Sequence, residues 1–243
     1  MNPPVLEEAR EYVIPLFTVK ASGNGIFIES RKFLGTAFFV TRQGDAITAA
    51  HVLPHPSSLS EDLRLVAIVH VEGKEQVCWV NQAAVFEPFD VALLKVNLPN
   101  TKYLSVSAEP VLAGTDVQVL GIPNHEVVGA GKEMRILKGH VTFVHERLEL
   151  NFPIPAGMSG APVLAGPFVV GYATGKVRSE EVEDQYEEVV KLTNTREEIH
   201  IATTSRVTYY GIAFPFSNIA QVHDPILENR TLIQFIEEQN RAS

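Results

Sequence analysis

Short runs of β-branched and aromatic residues recur along the chain, and they constrain its fold more than any other feature. Val, Ile, Phe, Tyr and Thr suit pleated, half-buried surfaces, and Gly, Pro, Asn and Asp separate the runs. The predicted strands cover 13–19, 35–40, 45–50, 63–71, 77–86, 91–96, 116–122, 134–144, 161–165, 168–175 and 207–214. Many short strands at this spacing are typical of an all-β sandwich or barrel.

Two helices are predicted beside these strands. One is a short helix near HVLP (51–54), and the other is terminal and covers 231–240. In the terminal segment, Leu232, Phe235 and Ile236 share one face at helical spacing. We expect this face to dock on the body of the protein.

The segment 176–206 differs from the rest of the chain because acidic residues cluster in it and few apolar residues fall in register. We expect a long loop here. A loop of this length inside a compact domain is either a solvated surface excursion or a functional element that contacts substrate or regulates the site.

Charge and length narrow the classes of function. The 243 residues suffice for one large domain or two small ones, and the net charge of −9 disfavours a nucleic-acid partner. No run of about 18 apolar residues predicts a membrane-spanning helix, and residues 1–17 do not resemble a signal peptide. The lone Cys78 cannot form an internal disulfide. We therefore expect a cytoplasmic protein with no membrane partner.

A glycine-rich turn, PAGMSGAPV (155–163), contains the strongest single chemical signal. A serine hydroxyl is a weak nucleophile, and it needs a tight turn in which backbone N–H groups can face the reacting carbonyl. Gly157 and Gly160 flank Ser159 and permit such close backbone geometry. A purely structural turn before a strand would explain the motif equally well.

Two further positions suggest chemistry only in combination with Ser159. His51 follows small residues at the end of a predicted strand, and Asp90 directly precedes the apolar run VALLKV (91–96). Taken singly, the histidine is a satisfied structural group and the acid is a cap or turn residue. A buried Asp90 would need a partner for its charge. The chain order His, Asp, Ser is that of one class of serine hydrolase triad.

With these motifs the chain resembles the trypsin-like serine proteases, and within them the HtrA/Deg-type branch. The resemblance covers about residues 33–222 and includes motifs beyond the three residues. The matching segments are GTAFFVTRQGDAITAAHVL, DVALLKV, VQVLGIP, GMSGAPVL, FVVGYATG and YYGIAFPFSNI.

The resemblance implies a fold of two packed antiparallel six-stranded β-barrels of the chymotrypsin type with a C-terminal helix. The N-terminal barrel, in 1–110, would hold His51 and Asp90. The C-terminal barrel, in 111–243, would hold Ser159, the loop insertion 176–206 and the helix. No PDZ domain is expected after residue 240.

The resemblance also implies roles for individual residues. Ser159 would attack a peptide carbonyl, His51 would take its proton, and Asp90 would orient the imidazole. The amides of Gly157 and Ser159 would bind the oxyanion. An extended protein or peptide substrate would pair with the strand at Tyr172, Ala173 and Thr174.

Some positions depart from the family pattern. Met158 stands where an acid pairs with a new N-terminus in proteases activated by cleavage, so no activation of that kind is expected, and Ala161 replaces a glycine. The segment FPIP (152–155) contains no acid, and Val169 or Val170 stands where glutamate- and glutamine-cleaving relatives place a histidine. These positions favour a small or apolar residue before the scissile bond.

Three hypotheses follow. The first is a serine endopeptidase, latent or controlled by a regulatory protein partner. The second is a catalytically inactive peptide-binding pseudoprotease, because Met158 and Ala161 could collapse the oxyanion turn. The third is an esterase that uses the same three residues. No cofactor and no metal are expected, since Pro54 interrupts the pair His51 and His55.

Overall fold

The structure is a computed structural model, and it describes residues 6–22, 27–54, 63–124, 133–178, 182–191, 197–206, 209–220, 223–224 and 227–241. The described residues form two closed, six-stranded antiparallel barrels, as the resemblance predicted. A helix, α2 (Leu232–Arg241), follows them, and a four-residue helix, α1 (Leu6–Ala9), precedes them.

The first barrel contains β1–β6, which pair in the order β1-β2-β3-β6-β5-β4. Their bounds are β1 Val13–Ser22, β2 Phe27–Phe39, β3 Asp45–Ala49, β4 Leu63–Val71, β5 Lys74–Phe86 and β6 Val91–Val96. The predicted strands 63–71 and 91–96 are confirmed at both ends, whereas β2 begins well before the predicted residue 35. Residues of β3 and most of β6 are buried, as continuous apolar runs require.

The second barrel repeats this strand order with β10-β11-β14-β9-β8-β7. Its strands are β7 Asp116–Gly121, β8 Arg135–Val144, β9 Leu148–Leu150, β10 Pro162–Ala165, β11 Phe168–Arg178 and β14 Tyr209–Pro215. The three-residue β9 was not predicted, because it is too short to show a period. The predicted domain boundary at 110/111 falls between the last strand of one barrel and the first of the other, and its position stays a prediction.

The expectation of a long loop over 176–206 is wrong for most of that segment. Strands β12 (Val182–Lys191) and β13 (Glu197–Arg206) form a two-stranded antiparallel sheet. The pairing of β11 with β14 reaches Arg178 and Tyr209, and β12 with β13 begins at Val182 and Arg206. Within the described residues, Val182–Lys191 and Glu197–Arg206 therefore form a β-ribbon that lies between β11 and β14 in the chain. The acidic sequence did not predict these strands. A two-stranded ribbon has no barrel core, so its strands need not carry an apolar face.

The C-terminal helix docks as predicted, and its partner is the first barrel. Leu232 and Ile236 are buried, and Asn240 Nδ2 donates a hydrogen bond to Val40 O at 2.9 Å. Thr231 and Gln234 form a capping box, in which each side chain binds the other residue's amide. A further small sheet, β15 (His223–Asp224) with β16 (Arg230–Thr231), precedes the helix.

One apolar core joins the two barrels. It includes Leu16, Phe38 and Leu93 of the first barrel together with Leu120 and Tyr172 of the second. A separate cluster fills the second barrel. The shared core holds the two barrels against each other, and the candidate catalytic residues lie on the segments at this junction.

Candidate active site

His51 lies in a single 3-10 turn, Ala50–Val52, directly after β3. Val52 is buried and anchors the turn, while the imidazole is 48% exposed. Leu53 N–H closes the turn on Ala50 O at 3.0 Å, and Pro54 prevents its continuation. The predicted short helix is confirmed as this turn, and it holds the histidine side chain at the surface.

Asp90 binds His51 through both of its carboxylate oxygens. His51 N–H donates to Oδ1 at 2.8 Å, and Nδ1 lies 2.6 Å from Oδ2. Ala50 N–H adds a bond to the backbone oxygen of Asp90 at 2.9 Å. Asp90 adopts a left-handed conformation with φ of 52°, which Asp tolerates better than most residues. Because Nδ1 donates to Asp90, Nε2 of a neutral imidazole is left as an acceptor.

The carboxylate also tunes the imidazole. The hydrogen bond that His51 donates to Asp90 raises the pKa of His51 above its ordinary value of 6.5, partial burial opposes the shift, and the negative charge of Asp90 adds to the rise. The imidazolium form is therefore stabilised by its neighbour. A group that must accept a proton and later release it profits from such a partner.

Tyr172, which was predicted to pair with substrate, instead supports the residue next to Asp90. Its side chain is fully buried, its hydroxyl donates to the backbone oxygen of Phe89, and its ring packs on Phe214 and Phe216. Burial, with a smaller contribution from the charge of Asp90, raises the pKa of Tyr172. Tyr172 therefore fixes the residue that immediately precedes Asp90, which the sequence did not reveal.

The predicted substrate strand is corrected at Ala173 as well. Ala173 N–H donates to Ala161 O at 2.8 Å, and Ala173 O accepts from Gly160 N–H at 2.7 Å. Tyr172 pairs in register with Pro162 of β10 and Phe214 of β14. Neither residue keeps a free backbone edge for a peptide. Of the three predicted residues, Thr174 alone lies at an irregularity, where the β11–β14 register shifts.

Ser159 lies in a tight turn that two glycines make feasible. Gly157 has φ of 96° and Gly160 has φ of 83°, a region that L side chains rarely adopt. A Cβ on Gly160 would lie 2.2 Å from Thr36 O and 2.9 Å from Ala49 N. The turn therefore presses against the strand end that leads to His51, and only glycine fits at this contact.

The backbone amides of the turn divide into two groups. The amides of Met158, Gly160 and Ala161 donate to Pro155, Ala173 and Met158 respectively. Within the described residues, the amides of Gly157 and Ser159 have no hydrogen-bond acceptor in the protein. Ala156 O accepts from Asn124 N–H at 2.7 Å, so the Gly157 N–H of the same planar peptide points away from Asn124. Two neighbouring free donors of this kind can bind a negatively charged oxygen.

The hydroxyl of Ser159 donates to Thr174 O at 3.4 Å. In the part of the chain that the structure describes, no hydrogen bond joins Ser159 to His51. Their turns nevertheless meet at Gly35 of β2, where a Cβ would lie 2.9 Å from the Val52 side chain and 3.0 Å from Ser159 O. The weak bond to Thr174 leaves the hydroxyl ready to exchange partners.

Met158 and Ala161 pack into the second barrel. Both are fully buried in the cluster that fills the second barrel, and both face Gly121 of β7. A Cβ on Gly121 would lie 2.9 Å from Ala161 Cβ and 3.1 Å from Met158 Cε. An ammonium group could reach this position only as a buried, unpaired charge, which is costly.

An open cleft of about 680 Å³ adjoins Phe89 and is lined by both barrels. Pro88 and Phe89 line it from the first barrel, and His145, Glu146 and Phe214 line it from the second. Asn218 Nδ2 donates to Glu146 O at 2.7 Å and closes one side. The cleft shows that the surface next to Asp90 is concave, but the residues that line it carry no nucleophile.

Comparison with known proteins gives the family. A family model described as a trypsin-like peptidase domain matches residues 35–171. The chain belongs to this family. The match begins at Gly35 and includes His51, Asp90 and Ser159.

Similar proteins support the fold of this trypsin-like peptidase domain. An HtrA-type protease, AlgW, solved with a decapeptide, matches with a TM-score of 0.55 and 16% identity over 94% of this chain and 65% of that chain. Deg5 matches with a TM-score of 0.56 and 15% identity over 70% of this chain and 82% of that one. An uncharacterised protein of Sinorhizobium fredii, y4bJ, is 30% identical over 59% of this chain. The peptidase domain spans only 22% of that relative.

The described residues contain no helix that is both long enough and apolar enough to cross a membrane. Among them, no group of three or more His, Cys, Asp or Glu side chains is arranged to hold a metal ion.

Proposed function

We propose that this trypsin-like peptidase domain is a serine endopeptidase, with Ser159 as nucleophile, His51 as general base and Asp90 as the carboxylate that orients His51. The observation that carries the proposal is the pair of amides, of Gly157 and Ser159, that have no acceptor among the described residues. Free donors beside a serine hydroxyl suit the oxyanion that develops during acyl transfer. A collapsed turn would have satisfied them internally.

The reaction would proceed through an acyl-enzyme. The Ser159 oxygen forms a bond to the substrate carbonyl carbon while Nε2 of His51 takes the hydroxyl proton. The carbonyl oxygen becomes an oxyanion and accepts hydrogen bonds from the two amides, each worth about 3 kcal/mol of transition-state stabilisation. His51 then gives its proton to the leaving amine as the C–N bond breaks. A water molecule, activated by His51 in the same way, releases the acyl group.

Asp90 contributes by holding the tautomer. With Nδ1–H donating to Oδ2, the lone pair of Nε2 is the one available for the proton of Ser159. The carboxylate also stabilises the imidazolium that forms during attack, in keeping with the raised pKa of His51.

The substrate class is an extended peptide or protein. AlgW, which shares the fold, was solved with a decapeptide. Thr174 offers its backbone oxygen at the register shift, which makes it the residue of β11 able to bind a substrate amide. Ile154 is buried against Gly211, and residues 152–155 contain no acid, so a small or apolar residue before the scissile bond fits best.

One observation favours a second candidate, a pseudoprotease that binds peptides without cleaving them. Ser159 donates to Thr174 O instead of His51, which is the geometry of an unreactive hydroxyl. In an active enzyme the hydroxyl would donate to Nε2 of His51 instead. The two candidates therefore differ in whether peptide binding breaks that 3.4 Å bond.

The decisive experiment is fluorophosphonate labelling of the protein beside Ser159→Ala. We expect the wild type to form a covalent adduct and the variant to form none, because the probe reacts only with an activated serine. Cleavage of a peptide library, compared with a panel of simple esters, then separates an endopeptidase from an esterase. A folded wild type that binds peptides but is never labelled would identify the pseudoprotease.

Regulation belongs to the same proposal. The ribbon of β12 and β13 follows β11 in the chain, and the candidate substrate-binding residue Thr174 lies in β11. A partner that binds this ribbon could move the Thr174 segment and so release Ser159 for catalysis. Replacement of residues 180–207 by an Asn-Gly turn tests this idea. The idea fails if peptidase activity is unchanged both alone and in cell lysate that contains candidate partners.

A further inference from the structure

Thr36 of β2 contacts the Ser159 turn although it belongs to the other barrel. Its hydroxyl donates to Gly157 O at 3.0 Å, and its amide donates to Ser159 O at 2.9 Å. These two carbonyls lie in the turn whose Gly157 and Ser159 amides have no acceptor among the described residues. Thr36 is fully buried, so its side chain is held in one place by protein groups alone.

The hydroxyl of Thr36 is fully committed to this contact. A threonine hydroxyl has one hydrogen to donate, and Thr36 gives it to Gly157. The same oxygen accepts from Ile122 N–H at 3.3 Å. The backbone oxygen of Thr36 accepts from Thr48 Oγ1 at 2.7 Å. The threonine therefore connects β2 and β3 of one barrel with two segments of the other.

The orientation of one peptide depends on this hydroxyl. The Gly157–Met158 peptide is planar, so its oxygen and its N–H point in opposite directions. With the oxygen held by Thr36, the Met158 N–H faces Pro155 O at 3.2 Å. Without the hydroxyl the Gly157 oxygen loses this hydrogen bond, and because glycine tolerates backbone torsions that other residues do not, the peptide can rotate within the space that its neighbours leave. Such a rotation changes the torsions on both sides and reorients the neighbouring amides of Gly157 and Ser159.

Nearby residues of β2 press on the same turn. A Cβ on Gly157 would lie 2.7 Å from the Phe33 ring, so the ring covers one face of that residue. A Cβ on Gly35 would lie 3.0 Å from Ser159 O, so β2 passes directly behind the serine. Phe33 in turn packs on Phe17, with ring centroids 5.5 Å apart. These contacts restrict the turn by shape, whereas Thr36 holds it by hydrogen bonds, as no other described residue of β2 does.

We infer that Thr36 is a positioning residue for the oxyanion site: its hydroxyl holds the Gly157–Met158 peptide so that the Gly157 and Ser159 amides remain free for the substrate oxygen. The inference rests on the proposed function and adds a residue of the N-terminal barrel to the apparatus of Ser159. Thr36 touches neither substrate nor reacting atoms, so its effect is on the rate of the chemical step and not on binding.

The test measures fluorophosphonate labelling under saturating conditions for the wild type, Thr36→Val and Thr36→Ser. Thr36→Val keeps the shape of the side chain and removes the hydroxyl, and we expect its maximal labelling rate to fall roughly 10- to 100-fold. Probe affinity should not change. Thr36→Ser keeps the hydroxyl and should stay within about threefold of the wild type.

A matched control and a measure of folding accompany these variants. Thr101→Val also removes a buried hydroxyl that donates to a backbone oxygen, that of Thr41 at 2.7 Å, but outside the turn. We expect its labelling rate to equal that of the wild type. The low-field proton NMR signal of His51 Nδ1 should persist in every variant, because Thr36 does not support the pair of His51 and Asp90.

The outcomes separate the inference from the proposed function. A wild type that stays unlabelled both alone and in cell lysate that contains candidate partners refutes both. A labelled wild type with equally fast labelling of Thr36→Val refutes the inference alone, as does a loss confined to probe affinity. If Thr36→Val does not fold, Thr36→Cys replaces it, since a thiol of similar size is a weaker donor. The inference then requires slower labelling than Thr36→Ser, and equal rates overturn it.

Discussion

The two barrels share one strand order, yet they contribute to the candidate site in different ways. The N-terminal barrel supplies a pair of side chains, His51 and Asp90, joined by a charge-assisted hydrogen bond of 2.6 Å. The C-terminal barrel supplies a backbone turn around Ser159, shaped by Gly157 and Gly160 at positive φ. The same topology thus positions side-chain charge in one half of the site and main-chain donors in the other.

Each half is supported by a residue of the opposite barrel. Thr36 of the first barrel holds the Ser159 turn, and Tyr172 of the second holds Phe89, the neighbour of Asp90. Both supporting residues are fully buried. Neither half of the site is therefore complete in its own barrel. Loss of contact between the barrels would free both the Ser159 turn and the segment that contains Asp90.

The largest effect on the labelling rate should come from Asp90→Asn, which disrupts the pair of His51 and Asp90. The amide can no longer hold the tautomer of His51 or stabilise the imidazolium, and in serine proteases such a change costs roughly 10⁴ in kcat. Asparagine tolerates the left-handed conformation of Asp90, so the fold should survive. Labelling rates measure the loss.

Asp45→Asn is the control for Asp90→Asn. Asp45 is buried and binds Lys95 at 2.9 Å and Thr41 at 2.6 Å, remote from His51. We expect it to lower the thermal unfolding temperature and to leave the labelling rate of the folded protein unchanged. Equal labelling losses in the two variants would contradict the assigned role of Asp90.

A smaller effect on the labelling rate should follow from Gly157→Ala, which disturbs the backbone turn around Ser159. The new Cβ would lie 2.5 Å from Asn124 N, and alanine disfavours φ of 96°. The turn must shift, and we expect a loss of roughly 10²- to 10³-fold in labelling rate, as for removal of an oxyanion donor. His51 should keep its pairing with Asp90, visible as the low-field NMR proton.

Gly114→Ala isolates the steric part of the Gly157→Ala effect. Gly114 has a similar φ of 88°, but nothing lies within 4 Å of the new Cβ. The control should lose stability modestly and no activity. If Gly157→Ala behaved in the same way, the oxyanion geometry would not depend on that turn.

A third, smaller effect tests the support that crosses between barrels. Tyr172→Phe removes the hydroxyl that binds Phe89 O and leaves a buried carbonyl unpaired, at a cost of roughly 1–3 kcal/mol in the free energy of unfolding. Tyr12→Phe is the matched control, because the Tyr12 hydroxyl is buried without a hydrogen-bond partner among the described residues. Denaturant titration should show a loss in the first variant only. Equal stability of the two variants would contradict the role of the Tyr172 hydroxyl in supporting Phe89.

The smallest effect is a shift of the pH profile. Since the base must be neutral, the labelling rate should rise with pH through a midpoint above 6.5, the ordinary pKa of histidine. The same raised pKa stabilises the fold below pH 6.5, and this contribution disappears as pH rises through the folded-state value. Asp90→Asn should move the midpoint down. A wild-type midpoint at or below 6.5 would contradict the pairing.

Much of this fold was predictable because its strands and its last helix follow from patterns within short stretches of sequence. Strands 63–71 and 91–96 were predicted at both ends, since continuous apolar runs bounded by turn residues admit few alternatives. The capping box of Thr231 and Gln234 and the apolar face of the last helix are also local. The ribbon over 182–206 was missed because its strands are defined by pairing with each other and not by an apolar face.

The candidate site shows the same division. His51, Asp90 and Ser159 were chosen from motifs and chain order, and their roles stay proposals until the labelling experiment is done. Tyr172 and Ala173 were misassigned because sequence alone does not reveal which edge of a strand is already paired. Thr36 went unnoticed, since a single threonine in an apolar strand has no local signature of the residues that it binds.

The sequence by itself determined the strand-forming segments, the glycine turn around Ser159 and the positions of the histidine and the acid, because all of these follow from side-chain type and spacing within short stretches. Only the tertiary structure decided which amides stay free, which strand edges are occupied and which threonine holds the serine turn. Each of those depends on hydrogen bonds between residues far apart in the chain, such as Thr36 and Gly157, which meet only when both barrels are closed and packed together.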